Sequence, residues 1–228
     1  MTRFFAVFFI CISSLFSCSK STKTEIKTGI WRAEISTIAG ALPFNLDIQK
    51  KGEGYEVFAL NGEERLLMDE AYLDEEDSLH IPIDVFDAEI IAKPSGGELN
   101  GIFWKEMGDL SIRESAFTAT FGENYRFVEK SEEEVVSISG KYDVEFKYEE
   151  NSYPAVGVFE QSGNEVTGTF LTTTGDYRYL QGNVVGDSLL LSCFDGTHVF
   201  LFKAKIDGES LSGGVFCASL TYTESWSG

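Results

Sequence analysis

The chain has 228 residues and a formal charge of −19, with 19 phenylalanines and only 4 prolines. That length can bury a core as one large β-domain or two small ones, and the aromatic content excludes a disordered chain. The negative surplus argues against nucleic acid and against electrostatic docking on anionic lipid, since both attract Lys/Arg-rich surfaces. An acidic surface that resists self-association is the plain reading.

Residues 1–17 read as an export signal with a helical apolar stretch. Arg3 supplies a positive start, and Phe4 to Ile12 are almost unbrokenly apolar. That run is far short of the ~20 residues a membrane-spanning helix needs. Arg3 is the one charge in 1–17, so removing the segment takes the formal charge from −19 to −20. The stretch ends in Leu15-Phe16-Ser17-Cys18, which resembles the bacterial lipobox, with Phe16 bulkier than usual at its place. The resemblance implies lipidation of Cys18 by a thioether-linked diacylglycerol, with cleavage leaving it as the acylated N-terminus. Several acyl chains, at ~0.8 kcal/mol per buried CH₂, make an essentially permanent anchor. An ordinary signal peptide with an incidental cysteine is the alternative. Residues 18–28 are polar and aperiodic, and read as a flexible tether. No aspartate or acidic run follows Cys18. By resemblance to enterobacterial sorting, this favours an outer-membrane lipoprotein on the periplasmic face.

The first unit, 29–128, begins with Gly29 and a strand that puts Trp31, Ala33 and Ile35 on one side. Phe44, Leu46 and Ile48 alternate next, and Lys51-Gly52-Glu53-Gly54 turns the chain. After Tyr55, Val57 and Ala59, Asn61-Gly62 is the strongest hairpin signal in the sequence, because both central residues need φ > 0. A strand around Arg65–Leu73, the acidic loop Asp74–Asp77, and strands at Leu79–Ile83, Ala88–Lys93, Leu99–Trp104 and Phe117–Phe121 follow. Sequential hairpins of this kind form an up-and-down meander, and curling it shut removes exposed edges. The alternation predicts one wet face.

Residues 129–139 are acidic and read as a linker, or as a charged helix cap. The second unit, 140–228, then repeats the first. Gly140-Lys141-Tyr142-Asp143-Val144 answers Gly29-Ile30-Trp31-Arg32-Ala33, Tyr153-Pro154 answers Leu42-Pro43, and Gly163 answers Gly52. Leu189–Leu191 and Leu211–Phe216 continue the match, so duplication is the economical explanation. The fold class expected is all-β: two tandem antiparallel up-and-down meander barrels of calycin or lipocalin type. Trp31, Phe44, Tyr142 and Phe216 are core candidates. In the second unit, Leu189–Phe194 and Val199–Phe202 are apolar on both faces, and such strands are usually covered on both faces. The outer face is therefore expected to pack on the first unit or on another partner, burying Phe194, Phe200 and Phe202.

Catalytic chemistry finds no foothold in these residues. With Cys11 and Cys18 removed or acylated, Cys193 and Cys217 remain; both share parity with core positions, and no Cys-x-x-Cys is present. Buried free thiols are the first reading, with a disulfide, redox pair or metal pair as alternatives. His80 and His198 have no metal-like neighbours at ligand spacing. No Gly-x-Ser-x-Gly appears, and Asp74–Asp77 lacks the spacing of a calcium loop. No enzyme, metal or cofactor is expected.

Gly29-Ile30-Trp31 is similar to the Gly-x-Trp of lipocalin-type barrels. The lipobox, Trp31-Arg32-Ala33, Leu42-Pro43-Phe44, Asn61-Gly62-Glu63-Glu64, Val85-Phe86-Asp87, Ala116–Ala119 and Tyr125-Arg126-Phe127 together resemble more closely the N-terminal region of TlpA-like thioredoxin-family lipoproteins of Bacteroidetes-type bacteria. In those proteins a thioredoxin fold with Trp-Cys-x-x-Cys follows and performs thiol–disulfide exchange. The present sequence reaches Ser225–Gly228 about where that connection would begin. The expectation is a membrane-anchored periplasmic module that binds or positions without catalysis, with a thioredoxin-type domain or protein as candidate partner. A carrier of a small apolar ligand and a truncated thiol–disulfide oxidoreductase are the alternatives.

Overall fold

The computed structural model describes residues 24–131 and 135–228. They form 18 strands and one short 3-10 turn, Asp84–Phe86. Nine strands make the first barrel: β1 (Gly29–Thr37), β2 (Gly40–Lys51), β3 (Gly54–Asn61), β4 (Glu64–Leu67), β5 (Tyr72–Leu73), β6 (Leu79–Ile83), β7 (Ala88–Ser95), β8 (Glu98–Glu106) and β9 (Ile112–Phe121). Nine more make the second: β10 (Gly140–Tyr148), β11 (Asn151–Ser162), β12 (Glu165–Thr172), β13 (Gly175–Asp176), β14 (Leu180–Val185), β15 (Ser188–Phe194), β16 (Val199–Asp207), β17 (Ser210–Cys217) and β18 (Thr223–Ser227).

Each unit is a meander whose last strand returns to its first. β9 pairs with β1 from Trp31↔Phe121 to Ile35↔Phe117, and β18 pairs with β10 around Phe146↔Trp226. The duplication holds pair by pair: Gly29↔Ile48, Glu34↔Pro43 and Thr37↔Gly40 recur as Gly140↔Phe159, Glu145↔Pro154 and Tyr148↔Asn151. One register thus serves both copies, as expected when the side facing the core is specified by the same apolar alternation.

Closure differs between the copies. In the second, β11–β12 and β12–β14 ladders complete the ring. In the first, the sheet ends on β4 and β5, and the gap is spanned where Tyr55 and Ala71 exchange backbone hydrogen bonds of 2.8 and 2.9 Å. The single strand expected over Arg65–Leu73 is therefore split. Its first half pairs with β3, its second with β6.

Both interiors are filled by side chains. Trp31, Phe44, Tyr55, Phe103 and Phe117 are fully buried in the first core. In the second, the Phe146 ring lies against Tyr153, Phe170, Tyr177, Phe202, Phe216 and Trp226. Each such side chain stabilises by ~1.5–3 kcal/mol through burial alone, and edge-to-face packing adds to it. Of the core candidates, Tyr142 alone is only partly buried. An isoleucine just ahead of the first strand enters each core. Ile26 donates its N–H to the Tyr55 hydroxyl at 3.0 Å, and Ile138 donates its own to Gln161 Oε1 at 2.8 Å. Residues 24–28, read from sequence as part of a tether, are thus docked, and so is the end of the acidic linker.

The outer face of the first barrel is not uniformly wet: Pro43, Asn45 and Asp47 of β2 are buried along with the inward residues between them. What covers this side is the second barrel, whose Ser192 and Phe194 on β15 and Leu201 on β16 turn toward it. Phe194, Phe200 and Phe202 are all buried, but only Phe194 belongs to this joint; the other two fill the second barrel's own core. The two cysteines divide likewise. Cys193 lies in the second core, whereas Cys217 packs with the first barrel's cluster. A bulge places Gly213 and Gly214 opposite the one residue between Lys203 and Lys205, and the extra residue flips the alternation that sequence parity assumed.

Candidate functional site

Cys18, the predicted lipidation site, lies outside the described residues. Cys11 lies outside them too; Cys193 and Cys217 are free and buried, on opposite faces of one sheet. Burial pushes the Cys193 thiol up to about 12, so it stays neutral and unreactive at physiological pH. His80 sits between two carboxylates, Nδ1 at 2.8 Å from Glu89 Oε1 and Nε2 at 3.2 Å from Asp74 Oδ2. Burial opposes its charge, but the bonds to Glu89 and Asp74 outweigh it and raise the imidazole above its ordinary value. Asp74 also accepts the N–H groups of Glu76 and Ser78 at 2.9 and 2.8 Å. The acidic loop is thus a turn capped by its own first side chain. Among the described residues no group of three or more His, Cys, Asp or Glu is arranged to hold a metal ion.

The polar residues that the fold does bring together lie where the barrels meet. Arg126, 2% exposed, follows β9 and donates to the carbonyls of Pro43 and Leu60, to Asn61 Oδ1, and to Gln181 Oε1 across the joint. Burial pulls its guanidinium down to about 10, which leaves it charged at neutral pH. Asn61 exchanges two bonds with the Phe194 backbone, at 2.9 and 3.2 Å, and the Ser192 hydroxyl donates to the Pro43 carbonyl at 2.6 Å. Asn183 Oδ1 accepts the N–H groups of Phe127 and Val128 from the connecting segment. Of these bonds, those to Gln181, between Asn61 and Phe194, and from Ser192 to Pro43 need both barrels in place.

Beside this joint opens a cleft of about 660 Å³. Gly62, Glu63 and Glu64 form its wall on the first barrel; Val158 and Thr169 of β11 and β12 form its floor. Arg178 and Tyr179, between β13 and β14, close the far side. Arg178 has φ of 59° and reaches across to Glu64 Oε1 at 3.1 Å. Asp195 stands 3.4 Å from its Nε, outside hydrogen-bond geometry, and is itself held by His198 Nδ1 at 2.9 Å. Burial works against the Asp195 charge, but bonds from the His198 ring and backbone more than offset it and keep the carboxyl below its usual range.

No family model, curated protein or solved structure matches this chain. The cleft is therefore described by its own chemistry. Sequence reasoning met Arg126 only within the Tyr125-Arg126-Phe127 resemblance and passed over Arg178 and Gln181, because each is a lone polar residue in a loop or on an outward strand position. The one signal was Asn61-Gly62, read as a hairpin turn; the turn is there, and Asn61 also reaches into the other barrel.

Proposed function

We propose that the protein is a lipid-anchored periplasmic module that binds or positions a partner without performing chemistry. The observation that supports this best is the joint. Two barrels with side-chain-filled interiors are fastened by buried hydrogen bonds through Arg126, Asn61 and Ser192, which makes a rigid body whose recognition surfaces are external. Filled interiors favour this role over that of a carrier of an apolar ligand, whose barrel needs an open cavity. The neutral, buried Cys193 weighs against thiol exchange by this chain. The resemblance of the sequence to the β-region of TlpA-like lipoproteins makes a thioredoxin-type domain or protein the candidate partner.

Six residue steps separate Cys18 from Thr24, a reach of at most about 20 Å. With Ile26 seated in the first barrel, an anchor on Cys18 keeps that barrel close to the bilayer. The test is radiolabelled palmitate incorporation and membrane fractionation of the full chain against Cys18→Ala. Label and membrane association should both be lost in the variant; equal labelling refutes the anchor.

A further inference from the structure

Six of the fifteen large apolar side chains that stand exposed among the described residues gather at one end of the first barrel: Ile38, Val85, Phe86, Met107, Leu110 and Ile112. They lie in or beside three turns, β1–β2, β6–β7 and β8–β9. The strand order β2-β1-β9-β8-β7-β6 sets these turns side by side. The Glu106 N–H donates to the Asp87 carbonyl at 2.8 Å and the Ser115 hydroxyl to the Ser36 carbonyl, which ties each turn to the next. Since β1 runs from Gly29 to Thr37, this is the end away from the docked segment 24–28. Phe86 lies beside Gly196 at the β15–β16 tip, so the patch continues outward from the joint between the barrels.

The second copy shows that the fold does not need apolar residues at these tips. Between the paired Thr37 and Gly40 the first copy holds Ile38-Ala39; between Tyr148 and Asn151 the second holds Glu149-Glu150. Val85-Phe86, in the turn closed by Ile83↔Ala88, answer Gly196-Thr197 in the turn closed by Phe194↔Val199. Turns ordinarily carry polar residues or glycine. Val85 is instead 78% exposed and Leu110 77%. Leu110 also has φ of 63°, a conformation that favours glycine or asparagine. Strain and exposed apolar surface at turn tips, with no packing gained inside the chain, mark a contact surface.

Charge selects the occupant. Residues 84–87 and 106–111 carry Asp84, Asp87, Glu106 and Asp109 and no Lys or Arg. Of the lysines nearby, Lys105 is turned to Thr197 and Lys203 to the Ala39 carbonyl; Arg113, exposed on β9, is outnumbered. Asp84, Asp87, Glu89 and Glu106 also line a pocket of about 390 Å³ with Tyr72 and Trp104. Carboxylates beside aromatic rings suit the apolar stem and charged head of Arg or Lys. The same carboxylates repel an anionic membrane. We propose that this end of the first barrel docks a protein that presents aliphatic residues beside Arg or Lys, the aliphatic groups covering Val85 and Leu110 and the basic one entering the pocket.

This docking rests on the chain being a binding module, and the test separates the two. A random peptide library displayed on phage is panned against the purified full chain in zwitterionic detergent at physiological salt. Recovered peptides are then titrated by fluorescence anisotropy. Peptides that set Leu, Ile, Val or Phe beside Arg or Lys are expected. Val85→Ser and Leu110→Asn should each weaken their binding about tenfold, the loss of one covered aliphatic side chain. Asp87→Asn combined with Glu106→Gln should weaken it too and flatten its salt dependence. Leu110→Asn should meanwhile hold or raise the melting temperature, because asparagine tolerates the positive φ; a leucine kept for packing would lower it on removal. Peptides without basic residues, or peptides that these variants bind as well as wild type, would overturn the proposal and leave a binding module that uses another surface. Recovery of no peptide would overturn both. A polarity-sensitive dye on Leu110→Cys, in lipoprotein reconstituted into phosphatidylglycerol vesicles, should report water; immersion in acyl chains would make the patch a membrane contact and overturn the protein partner.

Discussion

At the scale of single residues, two charged groups carry contrasting roles. Arg126 is buried without a carboxylate and neutralised only by the dipoles of carbonyl and amide oxygens. Arg126→Met would remove four hydrogen bonds from a charged donor, one of them across the joint to Gln181, and should destabilise the protein by about 3 kcal/mol, since hydrogen bonds to charged groups are worth ~1.5–3 kcal/mol each. Urea titration measures it. His80 works on the surface, stacked on Tyr72 and held by Glu89 and Asp74. Its pKa is raised in the folded state, so its contribution is full below the unfolded value of ~6.5 and disappears as pH rises through the folded value. The melting-temperature gap between wild type and His80→Gln should accordingly be wide at acidic pH and narrow at alkaline pH. A gap that widened upward would refute the ion pairing.

At the scale of elements, the β15–β16 hairpin matters most. Its Phe194 ring lies 4.3 Å from Phe44 and 5.4 Å from Phe103, both in the first barrel's core. Gly196 at the tip has φ of 95°, and a Cβ there would come within 2.8 Å of Ile83 Cγ2. Only glycine fits such a close approach in that conformation. Phe194→Ala should cost ~3–5 kcal/mol, the usual loss for a buried phenylalanine, and Gly196→Val should also destabilise. Chemical denaturation of both variants checks this; a Phe194→Ala loss under 1 kcal/mol would place the ring outside the core. The hairpin explains why β15 and β16 read as apolar on both faces: one face fills its own barrel and the other completes its neighbour.

At the scale of the whole molecule, the barrels share a core boundary and a polar joint, so they should unfold together. Fluorescence of Trp226 in a Trp31→Phe, Trp104→Phe background reports the second barrel, while far-UV circular dichroism reports both. Their denaturation midpoints should coincide, as for a two-state protein; two separated transitions would show that the joint is weak.

Much of this architecture was legible from local pattern. Period-2 alternation, glycine turns and the repeat specify strands, their order and the shared register, because each depends on neighbours within a hairpin. The alternation names Trp31, Phe44 and Phe216 as core residues without any coordinates. It misplaced Cys217, because a bulge at Gly213-Gly214 is invisible to parity, and it left the β2 outer face in water. What the tertiary structure alone decided was the contact between the copies. Phe194 entering a neighbour's core, and Arg126 bonded to two carbonyls of the first barrel and to Gln181 of the second, arise between residues up to about 150 positions apart, as does the bond of Ser192 to Pro43. Short-range sequence pattern records which side of a strand is buried, not what buries it.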